Sequence, residues 1–240
     1  MQNITDSKDS SIPVAVTLMP EQNSNRSPLE RFIHDVYAQY YGADIQQYMP
    51  VLMGLYGRSG AYLAGLGLRF AADGPLFLER YLDQSVEITV NDCTCSEPGE
   101  IARDSIVEVG NLAAYHAGGT RWLIIALTAY LQGAGYDWVS FTSVPSLRNS
   151  FRKLGLKLYT LGVADKSRLS TEEQSRWGRY YNSRPMVMAV NVHHTYGVLE
   201  RLLRFEQALT ALQHIWQQSF AFGHAAQFQS IQANLIRQAS

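Results

Sequence analysis

The chain has 240 residues, 46% of them hydrophobic, enough for one substantial core with a small appendage. Its 20 basic and 21 acidic residues leave a formal net charge of -1, which excludes a global field favouring nucleic acid or an anionic membrane surface. The longest apolar run, Trp122 to Leu131, is about half a bilayer span, and the polar start of the chain lacks the pattern of a signal peptide, so a cytoplasmic location is expected.

In chain order, a disordered tail over residues 1–11 gives way to a β-prone stretch, Ile12 to Met19, which predicts a first strand at or after Pro13. From Leu29 the positions Phe32, Ile33, Val36, Tyr37 and Tyr40 share a helical face, with Ser27 as cap, Pro28 at the first helical position and Gly42 as terminator. Asp44 to Met49 reads as a second short helix. Val51 to Tyr56 and Tyr62 to Ala71 read as a hairpin joined by Gly57-Arg58-Ser59-Gly60, with Gly65 and Gly67 marking a bulge or a close backbone approach. Leu76 to Leu82 makes a short amphipathic helical turn, and Asp92 to Asp104 is a polar loop.

The central stretch, Ile106 to Leu156, alternates strand, helix, strand and helix, which argues for a sheet covered by helices. Lys157 to Val163 and Pro185 to Val192 complete the strands, and Ser170-Thr171-Glu172-Glu173 predicts a helix start. From Val198 onward Leu199, Leu202, Leu203, Leu209, Leu212 and Trp216 keep helical spacing, so residues 196–240 form an amphipathic helical extension outside the mixed αβ core of residues 12–195. The fold class expected is therefore α/β, with a central mixed sheet flanked by helices.

Several residues carry chemistry. Glu108 lies between Val107 and Val109 on the central strand, so its side chain faces away from theirs and is positioned to act as a general base in a cleft. Gly118-Gly119-Thr120-Arg121 opens a helix, whose exposed N–H groups and dipole suit a phosphate. Tyr180 and Tyr181 are candidate proton donors to a thiolate, with Trp177 beside them, and His116 is an alternative base or phosphate ligand. Arg69 either points a cation inward or occupies the solvated face. No metal site is expected: Cys93 and Cys95 are two ligands short of a zinc site, and His193-His194 lack a matching cluster. The spacing suggests no Ser/His/Asp triad.

Asn149-Ser-Phe-Arg-Lys-Leu-Gly-Leu directly after a strand resembles the asparagine helix of the GNAT acyltransferase superfamily. That resemblance implies a splayed strand end at Leu112 and Ala113, a pyrophosphate loop over Ala117 to Arg121, and pantetheine contacts from Asn149 and Phe151 on the next helix. Val107-Glu-Val-Gly-Asn-Leu-Ala113, Leu147-Arg-Asn149, Trp177-Gly-Arg-Tyr-Tyr181 and Tyr41-Gly-Ala43 with Ile45 and Pro50 are similar to the bacterial thermostable hemolysin family, itself similar to acyl-homoserine-lactone synthases. It implies a co-substrate that is an acyl-carrier-protein or acyl-CoA thioester, and a small-molecule amine as acceptor. The loop His116 to Arg121 is looser than the superfamily's pyrophosphate pattern, which favours a carrier protein over free coenzyme A. A membrane-active cytolysin using Val198 to Phe220, and a non-catalytic GNAT-like binding module, are the competing expectations. Dimerisation through the C-terminal helices ranks above membrane contact.

Overall fold

A computed structural model describes residues 12–94, 101–205 and 212–238. The expected tail over residues 1–11, Cys95 and Leu209 lie outside the described residues. Seven strands occur: β1 (Ala15–Pro20), β2 (Val51–Tyr56), β3 (Tyr62–Phe70), β4 (Ile106–Ala114), β5 (Trp138–Ser143), β6 (Tyr159–Val163) and β7 (Met186–Asn191). The helices are α1 (Ser27–Tyr41), α2 (Val86–Cys93), α3 (Ala117–Ala134), α4 (Pro145–Lys153), α5 (Thr171–Arg176), α6 (Val192–Phe205) and α7 (Gln213–Gln238). One sheet runs β1-β2-β3-β4-β5-β7-β6, with β4 and β5 parallel and the other neighbours antiparallel. This is the helix-flanked mixed sheet that the strand and helix alternation predicts.

Alternation along the strands sorts side chains onto two faces. Val107, Val109, Val139, Phe141, Met188 and Val190 face α3, α4, α6 and α7 in one apolar core. Ile106, Trp138, Val187 and Ala189 face α1 and the segment from Ala71 to Val90 in the other. α3 is apolar around most of its circumference, as a helix sandwiched between the sheet and further helices must be. It ends at Gly135, whose left-handed conformation lets its N–H reach the carbonyls of Gln132 and Leu131.

Four expectations are corrected. Ser27 is the first residue of α1 and not its cap: Arg26 holds that position, and its buried guanidinium donates to the carbonyls of Met19, Met49 and Pro50 and pairs with Glu30. Asp44 to Met49 is not helical: the Arg176 carbonyl and the Arg26 and Asn111 side chains, all outside the segment, take up backbone groups of Asp44, Gln47 and Met49. α2 runs to Cys93, into the stretch from Asp92 expected to be a polar loop; burial of Val86 and Val90, one helical turn apart, outweighs the β-branching of Val86, Ile88, Thr89 and Val90.

The fourth concerns the tail. α6 starts at Val192 without a loop after β7, and Leu199, Leu203, Leu212, Ile215 and Trp216 belong to the same core as α3. The extension is therefore packed on the core and does not stand outside it, although Phe205, Phe222 and Phe228 stay exposed. α7 crosses α3 at backbone contact: a Cβ on Gly223 would lie 2.0 Å from the Tyr130 carbonyl oxygen, and one on Gly133 would lie 2.3 Å from that of Phe220. Replacing Gly223 by valine is expected to force the helices apart and cost about 1–3 kcal/mol, whereas Gly197→Ala on α6, where a Cβ meets only the end of the Arg201 side chain, raises stability by about 0.5–1 kcal/mol. Denaturant midpoints for the two variants measure this, and equal midpoints would refute the close crossing.

Candidate active site

The site begins with an interruption in β4. Its pairing with β3 runs from Phe70 opposite Val107 to Gly67 opposite Gly110, then resumes at Gly65 opposite Ala113. Asn111 and Leu112 thus stand against the single residue Leu66, a bulge on β4 beside the glycines that marked it in β3. Asn111 takes a left-handed φ of 51°, which asparagine tolerates better than most residues. Its side chain then accepts from the Met49 N–H at 2.9 Å and donates to the Gln47 carbonyl at 3.3 Å, drawing the irregular segment from Ala43 to Pro50 over the strand. On the other edge, β4 pairs with β5 only from Ile106 to Val109, so Gly110 to Leu112 have no partner strand there. Bulge and splay together open a hole through the sheet.

A cleft of about 140 Å³ occupies this opening. Glu108 lines it from the α1 face of the sheet, only 2% exposed, with its carboxylate accepting the N–H groups of Phe77 at 2.8 Å and Leu78 at 2.9 Å. Burial pushes its carboxyl up to about 7, against those two N–H groups and the Arg69 guanidinium, which pull it down. Arg69 sits opposite Glu108 on β3 and also lines the cleft, where it makes no hydrogen bond or ion pair among the described residues.

The segment that supplies those N–H groups is tied by Arg103. Its guanidinium donates to the Ala71 and Gly74 carbonyls and pairs with Glu79 and Glu87. Glu79 in turn accepts from the N–H groups of Leu76 and Val86, and its carboxyl is held down to about 2; burial opposes the shift, and the Arg103 hydrogen bonds and these N–H groups outweigh it. The 3-10 turn Phe77–Tyr81 is therefore anchored before its N–H groups meet Glu108.

The same cleft has an aromatic wall of Tyr37, Phe77, Tyr81, Trp177, Tyr180 and Tyr181. The Tyr81 and Tyr181 hydroxyls bond to each other, and burial pushes the Tyr181 phenol up to about 12. Tyr180 is wholly enclosed by rings, with its phenol pushed far above the usual range by burial, so it packs the wall. On the α3 face, Val109, Leu112, Phe141 and Leu147 divide the cleft from an inner apolar cavity of about 20 Å³ that also takes in Phe151 and Leu127.

The structure thus brings together Glu108, Arg69, Trp177, Tyr180, Tyr181 and Leu112, while Phe151 lies in the inner cavity, stacked on Phe141 at 5.0 Å. The other predicted positions lie apart. Ala113 is buried on the α1 face, away from Leu112, where unbroken alternation from Ile106 would have turned it to the other face; the bulge shifts it. Asn149 is exposed on α4, its Oδ1 3.5 Å from Arg152. His116, Gly118, Gly119, Thr120 and Arg121 lie beyond the far end of β4 and line neither cavity, as does the backbone of Ala117. Gly119 serves packing, since a Cβ there would meet Ala114 Cβ at 3.0 Å and the Leu63 carbonyl at 3.2 Å. Among the described residues no group of three potential metal ligands occurs. Asn111, Tyr81 and the Phe77–Leu78 amides were not foreseen; an asparagine two residues before Ala113 in a glycine-flanked strand was the available signal for the first.

The mixed sheet is the GNAT-like acyltransferase fold. TofI in an apo form matches it with a TM-score of 0.51 at 14% identity, covering 83% of this chain and 97% of that one. BjaI, a CoA-dependent acyl-homoserine lactone synthase with SAM and isopentyl-CoA, gives 0.51 at 14% over 83% and 97%. The acyl-homoserine lactone synthase LasI gives 0.50 at 11% over 74% and 89%. At such identities the likeness is one of fold. No curated protein matches the chain in sequence. Residues 19–196, which take in the bulge, the splayed strands and all the cleft residues named above, match the thermostable hemolysin family, and the chain belongs to it.

Proposed function

We propose that the protein is an N-acyltransferase that moves an acyl group from a pantetheine thioester to the amine of a small molecule, with Glu108 as general base. One observation carries the reading: a carboxyl held near neutrality stands at a hole in the sheet, between a cation-bearing aromatic face and an apolar cavity. The amine nitrogen attacks the thioester carbonyl carbon, Glu108 takes the proton released from nitrogen, and the carbon–sulfur bond breaks. The thiolate takes a proton supplied through the Tyr81–Tyr181 hydroxyl pair. Unpaired backbone at Gly110 to Leu112 suits the amides of a pantetheine arm, which would add as a short strand segment. Arg69 and Trp177 hold the acceptor beside Glu108, and the inner cavity receives the acyl chain.

The donor we favour is an acyl carrier protein. From Trp138 to Ala164 the chain contains Arg148, Arg152, Lys153 and Lys157 and no acidic residue, in a protein whose net charge is -1. Arg152, Lys153 and Lys157 are exposed at the side of the splay, where an acidic protein surface would dock. The membrane reading has less support, because the described part of the Val198 to Phe220 segment is packed on α3 and no helix among the described residues is long and apolar enough to cross a bilayer.

Thiol release from acyl-carrier-protein and acyl-CoA thioesters, scanned over a panel of amines, tests the activity. The wild-type kcat/KM is expected to rise with pH and level off above about 7, and Glu108→Gln to lose roughly 10²–10⁴-fold and the pH step with it. No release from any donor and acceptor pair, or an undiminished Glu108→Gln rate, would refute the proposal.

Stability gives a second reading of the same carboxyl. Between pH 4.5 and about 7 the folded chain holds a proton on Glu108 that the unfolded chain has lost, so unfolding becomes easier as pH rises through that window. Glu108→Gln removes this slope, and relative to the wild type it gains up to ~3 kcal/mol between pH 4 and pH 8; urea midpoints at the two pH values read it out. For the docking face, Arg152→Glu combined with Lys153→Glu should raise KM for the carrier-protein thioester about tenfold at low salt and leave KM for a simple pantetheine thioester unchanged. Equal KM changes for both donors would remove the carrier-protein assignment.

A further inference from the structure

The inner cavity is walled by apolar side chains apart from two threonines, Thr128 on α3 and Thr195 on α6. Thr128 donates its hydroxyl to the Ile124 carbonyl at 2.8 Å, a bond made within its own helix. Thr195 makes none. It is 2% exposed, and its Oγ1 is buried without a hydrogen-bond partner among the described residues. An unpaired buried hydroxyl is destabilising, and valine would fill nearly the same space without that penalty. Ser219 is similarly unpaired, but it lies on α7 and does not line this cavity.

Thr195 also has a definite depth. The residues shared with the outer cleft include Val109 and Phe141, which pair across β4 and β5. Val139 and Val190 line only the inner cavity, opposite each other and two residues further toward the start of β5. That is roughly 7 Å deeper along the strand. Thr195 follows Val190 and Val192 around the turn into α6, and so belongs to this inner level.

We propose that Thr195 recognises an oxygen substituent on the acyl chain several carbons beyond the thioester, so that the preferred donor is a distally hydroxylated or oxo-substituted acyl thioester. The inference rests on the acyltransferase reading for its donor, but not on turnover for its test. A chain hydroxyl would accept from or donate to Thr195 Oγ1, and a ketone would accept from it. A plain saturated chain leaves the Thr195 hydroxyl unpaired when it fills the cavity.

The experiment compares octanoyl thioesters with their 3-, 5- and 7-hydroxy and 7-oxo derivatives, on wild type, Thr195→Val and Thr195→Ser. The expected result is a preference of about five- to tenfold in kcat/KM for a 5- or 7-substituted chain over octanoyl, kept by Thr195→Ser and lost by Thr195→Val. A 7-hydroxy over 7-oxo preference identifies Thr195 as an acceptor, and equal preference identifies it as a donor; both support the proposal. Preference for the 3-hydroxy chain alone, or a distal preference that survives in Thr195→Val, overturns it. In parallel, octanoic and 7-hydroxyoctanoic acids are compared as stabilisers of each variant by thermal unfolding. If no donor releases thiol, the acyltransferase reading fails, yet a larger Tm rise with the hydroxy acid in wild type than in Thr195→Val still supports the Thr195 site, and equal rises overturn it.

Discussion

A β-strand cannot both keep its register and open a passage through its sheet, and β4 resolves that conflict at Asn111. The bulge leaves Ile106 and Ala113, an odd number of residues apart, on the same face. Every feature of the cleft depends on that one irregularity. Glu108 lies just before it on one face, Leu112 lies within it on the other, and the segment holding Met49 is fastened by the side chain that the left-handed turn re-aims.

The carboxyl at this opening is balanced by contributions of opposite sign. Burial favours its neutral form, and two backbone N–H groups with a facing arginine favour the charged one. Part of this balance depends on groups outside the cleft, since the segment bearing the N–H groups is tied by Arg103 and its two glutamates. An ionic knot in a loop thus holds in place two of the groups that oppose burial at a residue on a neighbouring strand. Burial of the surrounding phenols works in the same direction, keeping Tyr81 and Tyr181 as neutral hydroxyls that hydrogen-bond to each other.

Much of the frame was legible in the sequence because it follows from periodicity. The strand at Ile106 to Val109, the helix stop at Gly42 and the Ser170–Glu173 capping box each express a local rule. So does the inward face of Glu108, which follows from its two valine neighbours. What escaped was non-local. Arg26, Arg103 and Asn111 are polar residues whose partners lie 23, 24 and 62 positions away, and no window of sequence shows such pairings. The glycine pair before α3 misled for the opposite reason: its local chemistry suits a phosphate, but the space beside Gly119 is taken up by the packing of helix on sheet.

The crossing of α7 over α3 has a meaning beyond stability. α3 forms the roof of the inner cavity through Ile124, Leu127, Thr128 and Leu131, and α7 bears on the outer side of that roof at Tyr130 to Ala134. α7 lies beyond the stretch that matches the family, residues 19–196. The whole lining of the cavity therefore lies within the matched stretch, while the helix that backs its roof lies outside it. A substitution on α7 can therefore alter how far the roof yields without touching any residue that lines the cavity.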